Sequence, residues 1–340
     1  MRQRIVTPKA YSAEDEKNIV SLRPSRLSEY IGQKQVVEKL SVSLEAIRRR
    51  AETHEHILFY GPPGLGKTTL AHIIANELGT KIVSTSGPSL QRTGDLMGIL
   101  TNLDTGDVLF IDEIHRLSPA VEEFIYPAME DFKVDFVVDK GVYARVINVP
   151  LKRFALIGAT TRAGLLSGPL RNRFGIFHHI DFYPEDELAQ IIQRSAKILE
   201  TKIDKEACYE LARRSRGTPR IANRLLRRVR DFSLVKRDGV INIEAVNSAL
   251  EIEGVDSAGL DNLDVKFLTT IISYYAGGPV GIEAIAATIN EEVDTLEEMV
   301  EPYLLKIGFL KRTQKGRVVG QLAFDHLKQK PDGDIQKRLL

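Results

Sequence analysis

The sequence predicts an α/β fold in which a parallel-sheet domain is followed by an all-helical domain and then by a winged helix. Three observations support this prediction. Short apolar runs alternate with helical stretches between residues 56 and 181. Helical spacing alone continues from 184 to 252, and three short helical patterns with a basic hairpin follow it. Alternation of the first kind is typical of α/β domains, whereas unbroken helical spacing indicates a separate helical unit.

The composition indicates ordinary packed cores and no membrane span. The 340 residues are 43% apolar, and no apolar run approaches the roughly 20 residues of a transmembrane helix. The N-terminal stretch lacks the apolar segment of a secretory signal, and Cys208 is the only cysteine, which excludes an internal disulfide and a thiolate metal cluster. We therefore expect a cytoplasmic protein. Because 47 basic residues nearly cancel 46 acidic ones, any nucleic-acid binding must come from a local basic patch.

Four apolar runs in the first domain are predicted as strands. They are nearly continuous rather than alternating, which is typical of strands buried on both faces of a parallel sheet. A helix is predicted over 67–78, directly after the first run. The polar residues 1–20 are predicted to be a mobile terminus. The four runs occupy 56–61, 81–85, 108–112 and 154–160.

An inserted hairpin is predicted over 134–149, between the third and fourth strands. Its turn is Asp139-Lys140-Gly141, in which the glycine permits a positive φ. The hairpin is nearly neutral but carries much apolar surface. Packing against its own domain and contact with a protein partner explain that surface about equally well. The apolar side chains are Phe136, Val137, Val138, Val142 and Tyr143.

The last unit follows a linker over 254–262 and contains helical patterns at 264–276, 281–289 and 292–307. A hairpin with its turn at 314–316 completes a winged-helix pattern. Its four basic side chains suit phosphate contacts, which carry no sequence information and weaken with salt. We therefore predict DNA contacts from Lys311, Arg312, Lys315 and Arg317.

A phosphate-binding loop is predicted at Gly61–Thr68. Its sequence GPPGLGKT fits the pattern G-x-x-x-x-G-K-[ST] and lies between a predicted strand and helix. Glycines let backbone N–H groups point at phosphates, and the following helix N-terminus favours negative charge. Lys67 is predicted to reach the β- and γ-phosphates of a nucleotide, and the Thr68 hydroxyl to ligate Mg²⁺.

The strand VLFID supplies the second half of a hydrolysis site. It brings Asp112 to its C-terminal end, where a carboxylate can hold Mg²⁺, and Glu113 follows as a candidate general base. Thr160 and Thr161 end the next predicted strand, where a hydroxyl can orient water. Arg171 and Arg173 follow a proline-containing loop, and a guanidinium there can neutralise charge on a transferring phosphoryl group.

Five segments together resemble one family more closely than a generic phosphate-binding loop would. These segments are GPPGLGKTT, LFIDEIHRL, GATTRAG, PLRNRFG and RGTPRIANRLLRRVRD. They resemble the AAA+ ATPases and, among them, the RuvB family of Holliday junction branch-migration motors. The resemblance runs from Leu22 to the end of the winged helix. It implies a large ATPase domain over 1–182, a helical lid over 183–254 and a winged-helix head over 255–340.

The resemblance also implies roles for individual residues in binding and hydrolysing ATP. Arg173 matches the arginine finger, which acts on ATP in the neighbouring subunit, and Arg220 matches the second sensor of the lid. Thr161 matches the first sensor, where many AAA+ relatives carry asparagine. The residues implied to bind the nucleotide are Leu22, Arg23, Gly64, Lys67, Thr68, Thr69, Glu130, Asp131, Phe132, Arg173, Tyr183 and Arg220.

For partners, the resemblance implies a homohexamer around duplex DNA, docking of the hairpin onto RuvA, and an association with the resolvase RuvC in recombinational repair. Two other functions stay open. An AAA+ protein remodeller needs an aromatic pore loop, and the stretch SGPSLQRTGDLMG has no aromatic residue. A nucleotide-gated DNA-binding scaffold needs no hydrolysis, and the presence of Glu113, Arg173 and Arg220 argues against it.

Overall fold

The computed structural model describes residues 22–50, 54–138 and 145–328. These residues form two compact units, one that ends at Tyr183 and one that begins at Pro184. The predicted mobile terminus at 1–20 and the predicted turn Asp139-Lys140-Gly141 lie outside the described residues.

The first unit is built on a five-stranded parallel sheet with the strand order β2-β3-β6-β1-β7. The four predicted strands are confirmed, with ends that shift by at most one residue. β7 was missed because its sequence, IFHH, is short and half polar. The strands of the unit are β1 (Ile57–Tyr60), β2 (Ile82–Ser86), β3 (Val108–Asp112), β4 (Lys133–Val138), β5 (Arg145–Pro150), β6 (Ala155–Thr160) and β7 (Ile176–His179).

Helices cover the sheet and close the core of this unit. β1, β3 and β6 are almost completely buried, as near-continuous apolar strands in a parallel sheet must be. The carboxyl ends of these three strands lie side by side, so the loops that follow them meet at one edge. The helices are α1 (Lys34–Arg50), α2 (Lys67–Leu78), α3 (Thr93–Leu100), α4 (Pro119–Glu130) and α5 (Gly168–Asn172).

The inserted hairpin is confirmed as an antiparallel pair of β4 and β5 outside the main sheet. Val134 is fully buried in the core, and Val149 opposite it packs there too. Further along the hairpin, Phe136 and Ile147 face each other in the register and are 38% and 49% exposed. The base of the hairpin therefore packs on its own domain, whereas this outer apolar pair is open to solvent.

The second unit is helical, as predicted, and ends in a winged helix with one two-stranded hairpin. The three apolar stripes in the sequence of 184–252 predicted three helices. The structure has a fourth helix, α9, in the same range. The elements are α6 (Glu185–Ile198), α7 (Lys205–Arg213), α8 (Pro219–Lys236), α9 (Ile243–Ile252), α10 (Asn262–Tyr275), α11 (Ile282–Ile289), α12 (Val293–Thr295), a π-helical turn (Leu296–Val300), α13 (Glu301–Lys306), β8 (Leu310–Thr313), β9 (Gly316–Val319) and α14 (Gln321–His326).

The winged helix has its own core, which includes Phe267, Leu304 and Phe324 and is closed by the hairpin residues Leu310 and Val319. In the lid, Cys208 is buried, and burial raises the pKa of its thiol to about 11. Across the described ranges, no helix is both long and apolar enough to cross a membrane.

Candidate functional site

The loop after β1 has the backbone conformation that a phosphate cradle requires. Gly61 and Gly66 have φ values of 139° and 102°, which residues other than glycine rarely adopt. A Cβ on Gly61 would lie 2.1 Å from the carbonyl oxygen of Ile180, and one on Gly66 would lie 2.7 Å from the hydroxyl of Tyr30. The loop therefore closes tightly against its own domain. Backbone N–H groups and the N-terminus of α2 are the elements that bind phosphate in such loops.

The Lys67 ammonium group lies inside this loop. Its side chain is buried, and its Nζ donates hydrogen bonds of 2.7 Å to the carbonyls of Gly61 and Pro62. Gly64 lies within the same loop, and Thr69 is half-buried in the first turn of α2. The lysine charge is thus held at the centre of the loop rather than in bulk solvent.

Thr68 and Asp112 bring two oxygen ligands together from different elements. The Thr68 hydroxyl donates a hydrogen bond of 3.2 Å to Oδ2 of Asp112, across from the end of β3. The other carboxylate oxygen, Oδ1, accepts a hydrogen bond of 2.9 Å from the backbone N–H of Glu113. A hydroxyl beside a carboxylate is a donor set that suits Mg²⁺, which favours few protein ligands plus phosphate oxygens and water.

Glu113 has a left-handed backbone conformation, with φ of 48° and ψ of 43°. Such a conformation costs about 1 kcal/mol or more for a residue with a Cβ and is concentrated at functional sites. Its carboxylate forms an exposed ion pair of 3.1 Å with Arg116. The strained turn directs the chain away from β3 immediately after Asp112.

The two threonines at the end of β6 have different environments. Thr160 is 1% exposed, accepts a hydrogen bond of 3.0 Å from the backbone N–H of Arg162, and lies 3.0 Å from Nδ1 of His115. Burial lowers the pKa of His115. The Thr161 hydroxyl is buried and has no hydrogen-bond partner in the described part of the chain.

The environments separate the two candidates that the sequence offered for orienting water. The hydroxyl of Thr160 is occupied with protein partners on both sides. Among the described residues, the hydroxyl of Thr161, one residue after β6, has no hydrogen-bond partner and keeps its donor and acceptor for a ligand or water. Sequence reasoning did not find His115, whose only local signal is its place two residues after Glu113.

Arg173 is the C-cap residue that follows the short helix α5, and it lies against α4. One Nη donates to Glu130 at 3.1 Å, the other donates to the carbonyl of Pro169 at 2.8 Å, and its guanidinium lies 4.2 Å from the ring centre of Tyr126. None of these contacts goes to the phosphate loop of the same chain. Arg171 in the same helix is exposed.

The last residue of α4 and the two residues that follow it are the next three candidates. Glu130 is half-exposed and bound to Arg173, and Asp131 pairs with Lys133 at 3.0 Å. Phe132 has a positive φ of 52° and an edge-on contact with Phe154. This segment therefore connects the Arg173 side chain to the base of the hairpin.

Leu22 and Tyr183 are both buried within the first unit. The Tyr183 hydroxyl lies 2.7 Å from that of Tyr30 and donates to the carbonyl of Leu65 at 3.2 Å. Tyr30 is a contact of the phosphate loop that sequence reasoning missed, since no local motif marks it. Arg23 lies near His72, whose pKa is lowered by burial and then by the charge of Arg23.

Arg220 is the second residue of the long lid helix α8 and is exposed. Four residues earlier, Arg216 is buried and lies against Asp264 at the start of the winged helix. The motif GTPR therefore ends in the exposed Arg220, and it directly follows Arg216, which has a structural role.

The wing hairpin carries the four predicted basic side chains on β8, β9 and their turn. The structure adds acidic partners that the hairpin sequence lacks. Glu301, which is 1% exposed, binds the guanidinium of Arg312 and lies 2.5 Å from Nε of Arg317. Arg317 also pairs with Glu297 at 3.1 Å, its side chain is only 13% exposed, and its pKa is raised by the bond to Glu301.

These acids pair with two of the four basic side chains, Arg312 and Arg317. Lys311 and Lys315 are exposed, and Arg312 keeps a side chain that is 53% exposed. Arg317 is directed into the winged helix by its carboxylate partners. The prediction that Arg312 and Arg317 contact DNA remains a prediction.

Comparisons with known proteins agree along the chain. The family described as Holliday junction DNA helicase RuvB P-loop domain matches residues 22–180, the RuvB AAA lid domain matches 183–256, and the RuvB C-terminal winged helix domain matches 257–328. The Holliday junction branch migration complex subunit RuvB of Desulfosudis oleivorans is 57% identical over 91% of this chain and 90% of the relative.

Two further relatives support the same assignment. The same subunit from Pediococcus pentosaceus is 55% identical, with 96% of both chains covered. The solved Thermotoga maritima RuvB Holliday junction branch migration motor is 52% identical and has a TM-score of 0.84. That match covers 91% of this chain and 99% of the solved one.

Proposed function

Because this chain belongs to the RuvB family of AAA+ ATPases, we propose that it is an ATP-driven motor that migrates Holliday junctions. The chain is a nucleotide-binding ATP hydrolase, as its family is. The observation that carries the proposal is the closed phosphate loop with Lys67 inside it and Thr68 3.2 Å from Asp112. The proposed domains are 1–182, 183–254 and 255–340.

In the proposed site, Lys67 binds the β- and γ-phosphates, and Thr68 and Asp112 hold Mg²⁺ through oxygen atoms. Bound Mg²⁺ would neutralise negative charge on the phosphate oxygens. Glu113 accepts the proton of the attacking water, and the hydroxyl of Thr161, which has no partner among the described residues, orients that water. Leu22, Arg23, Gly64, Thr69 and Tyr183 complete the pocket around the nucleotide.

Arg173 acts in this proposal on the nucleotide of the neighbouring subunit. Its protein contacts lead away from its own phosphate loop and toward Glu130. The backbone of Glu130, Asp131 and Phe132 approaches the same neighbouring nucleotide, and Arg220 of the lid senses the γ-phosphate. Catalysis then depends on assembly as a homohexamer around duplex DNA.

The remaining partners follow from surfaces of the described residues. Lys311, Arg312 and Lys315 contact DNA phosphates, with Arg317 as a further contact of the same wing. The exposed pair of Phe136 and Ile147 supports docking of the hairpin onto RuvA. We place the motor in the cytoplasm in homologous recombination and DNA repair, with RuvC as the resolvase partner.

A mixing experiment tests the ring mechanism. Arg173→Ala and Lys67→Ala are each expected to abolish steady-state ATP hydrolysis, measured with and without duplex DNA. A mixture of the two regains turnover if the finger acts across a subunit interface, because some interfaces then combine an intact site with an intact finger. Normal hydrolysis by Arg173→Ala, together with no effect of DNA, would refute the motor function.

A further inference from the structure

The ring of Tyr126 lies directly against the side chain of Arg173. The guanidinium carbon is 4.2 Å from the ring centre, well inside the range of a cation–π contact. The Arg173 side chain is only 20% exposed, so the ring covers much of a group that must stay ordered to act. An arginine on a free loop loses about 2 kcal/mol of rotamer entropy when it is fixed, and a preformed stack reduces that loss.

Arg173 directly follows the short helix α5, and the hydroxyl of Tyr126 contacts the residue that caps the start of that helix. The Tyr126 hydroxyl donates to Glu122 at 2.5 Å and lies 3.3 Å from the hydroxyl of Ser167. Ser167 in turn caps α5, where it accepts a hydrogen bond of 3.2 Å from the backbone N–H of Leu170. Ser167 also donates to Glu122.

One tyrosine therefore contacts both ends of α5. Its hydroxyl group is tied to the cap residue at the start of the helix, and its ring contacts the arginine at the end. Glu122 and Tyr126 are four residues apart on one face of α4, which keeps the phenol group in place. Burial and the bond to Glu122 raise the pKa of Tyr126, so the hydroxyl stays protonated as a donor.

We propose that Tyr126 is a positioning residue for the Arg173 finger, and that it fixes this side chain before a neighbouring nucleotide is met. This inference rests on the proposed function, because it assumes that Arg173 acts across the interface. The side-chain hydrogen bonds and the cation–π contact of Tyr126 in the described part of the chain go to Glu122, Ser167 and Arg173, and none of these three residues belongs to the phosphate loop. Loss of Tyr126 thus produces a subunit with a competent site and a defective finger.

The test uses the full-length chain with Tyr126→Leu, which removes ring and hydroxyl, and Tyr126→Phe, which keeps the ring. We expect Tyr126→Leu to lower kcat about tenfold, as displacement of a positioned group does, with the KM for ATP within about twofold of the parent. Tyr126→Phe is expected to keep kcat within about threefold, because the stack on Arg173 survives.

Mixed rings then locate the defect. In random 1:1 mixtures with Lys67→Ala, about one interface in four pairs the intact site of Tyr126→Leu with an unaltered finger. In mixtures with Arg173→Ala, no interface has an unaltered finger. We expect about fivefold more turnover with Lys67→Ala than with Arg173→Ala. Recovery with Lys67→Ala also demonstrates that Tyr126→Leu folds and assembles.

Each other outcome has a defined meaning. Recovery with Arg173→Ala instead places the defect in the subunit's own site and overturns the inference. The inference is also overturned if Tyr126→Leu is fully active, if neither mixture recovers, or if Tyr126→Phe is as inactive as Tyr126→Leu. The control mixture of Arg173→Ala with Lys67→Ala isolates the proposed function. Failure of that control refutes the finger in trans, and the positioning role with it.

Discussion

The guanidinium of Arg216 lies against the carboxylate of Asp264, and the two side chains are 7% and 0% exposed. Arg216 precedes α8 in the lid, whereas Asp264 is in the first turn of the winged helix. Arg216 also donates to the carbonyl of Gly259 at 2.8 Å and lies 5.3 Å from the ring centre of Tyr303. The contact therefore ties the lid, the linker and the winged helix together within one compact unit.

Truncation of this buried pair should destabilise the second unit. Arg216→Ala leaves the Asp264 carboxylate buried without its partner, and we expect a loss of about 3–5 kcal/mol in the free energy of unfolding. Chemical denaturation of the full chain measures it. Arg213→Ala is the control, since its exposed pair with Glu210 is expected to contribute at most about 1 kcal/mol. Similar losses in the free energy of unfolding for Arg216→Ala and Arg213→Ala would contradict a stabilising role for the buried pair.

Thr161→Val should reduce ATP hydrolysis with little loss of stability, whereas Thr160→Val should reduce stability. Thr161→Val removes a hydroxyl without a described partner, so stability should change by less than about 1 kcal/mol while ATP hydrolysis falls at least about tenfold. Thr160→Val removes the buried hydroxyl that contacts Nδ1 of His115 and accepts from the Arg162 N–H, and should cost about 1–3 kcal/mol in stability. Thermal melts and ATPase assays on both variants provide the comparison. Full hydrolysis by Thr161→Val would refute its role as the sensor.

Arg317 and Lys315 should respond differently to truncation. Lys315→Ala should reduce the slope of log affinity against log salt by about one, because an exposed lysine neutralises about one phosphate. Arg317→Ala should also reduce this slope, and in addition it should lower the stability of the winged helix by about 3 kcal/mol, because Glu301 is 1% exposed and loses a partner. Fluorescence anisotropy with duplex DNA across a salt series, together with thermal melts, separates the two effects. An unchanged melt of Arg317→Ala would contradict the stabilising role of its pair with Glu301, and an unchanged salt slope would contradict its contact with DNA.

The first unit should lose stability in mild acid through His178. Burial lowers the pKa of His178 from 6.5 to about 4, and Phe59 stacks on its ring at 5.6 Å. Since the folded state holds the ring neutral while the unfolded chain binds a proton, stability is complete above pH 6.5 and falls as the pH drops toward 4. From pH 7 to pH 5 the expected loss is about 2 kcal/mol.

The variant His178→Phe should remove this part of the pH dependence, as measured by urea unfolding at pH 7 and pH 5. His179→Phe, at the exposed neighbouring position, serves as the control and should leave the dependence unchanged. If both variants retain the full acid loss, His178 is not its source.

The sequence predicted those features that depend on near neighbours in the chain. Apolar runs and helical spacing identified four sheet strands, the lid helices and the wing, because burial on one or both faces imposes its period on a strand or helix. The GPPGLGKT loop was identified because its backbone geometry requires glycine at fixed positions. β7 was missed, since IFHH is placed in the sheet by its neighbour β1 rather than by its own polarity.

Only the tertiary structure decided which groups meet from distant parts of the chain. Tyr30 contacts the phosphate loop, Tyr126 contacts Arg173, and Glu301 forms an ion pair with Arg317. No spacing in the sequence predicts these contacts. Thr160 and Thr161 are neighbours with the same side chain, yet their hydroxyls differ because only one meets His115. Such pairings follow from the packing of whole elements, where burial makes an unpaired charge or hydroxyl costly and thereby selects its partner.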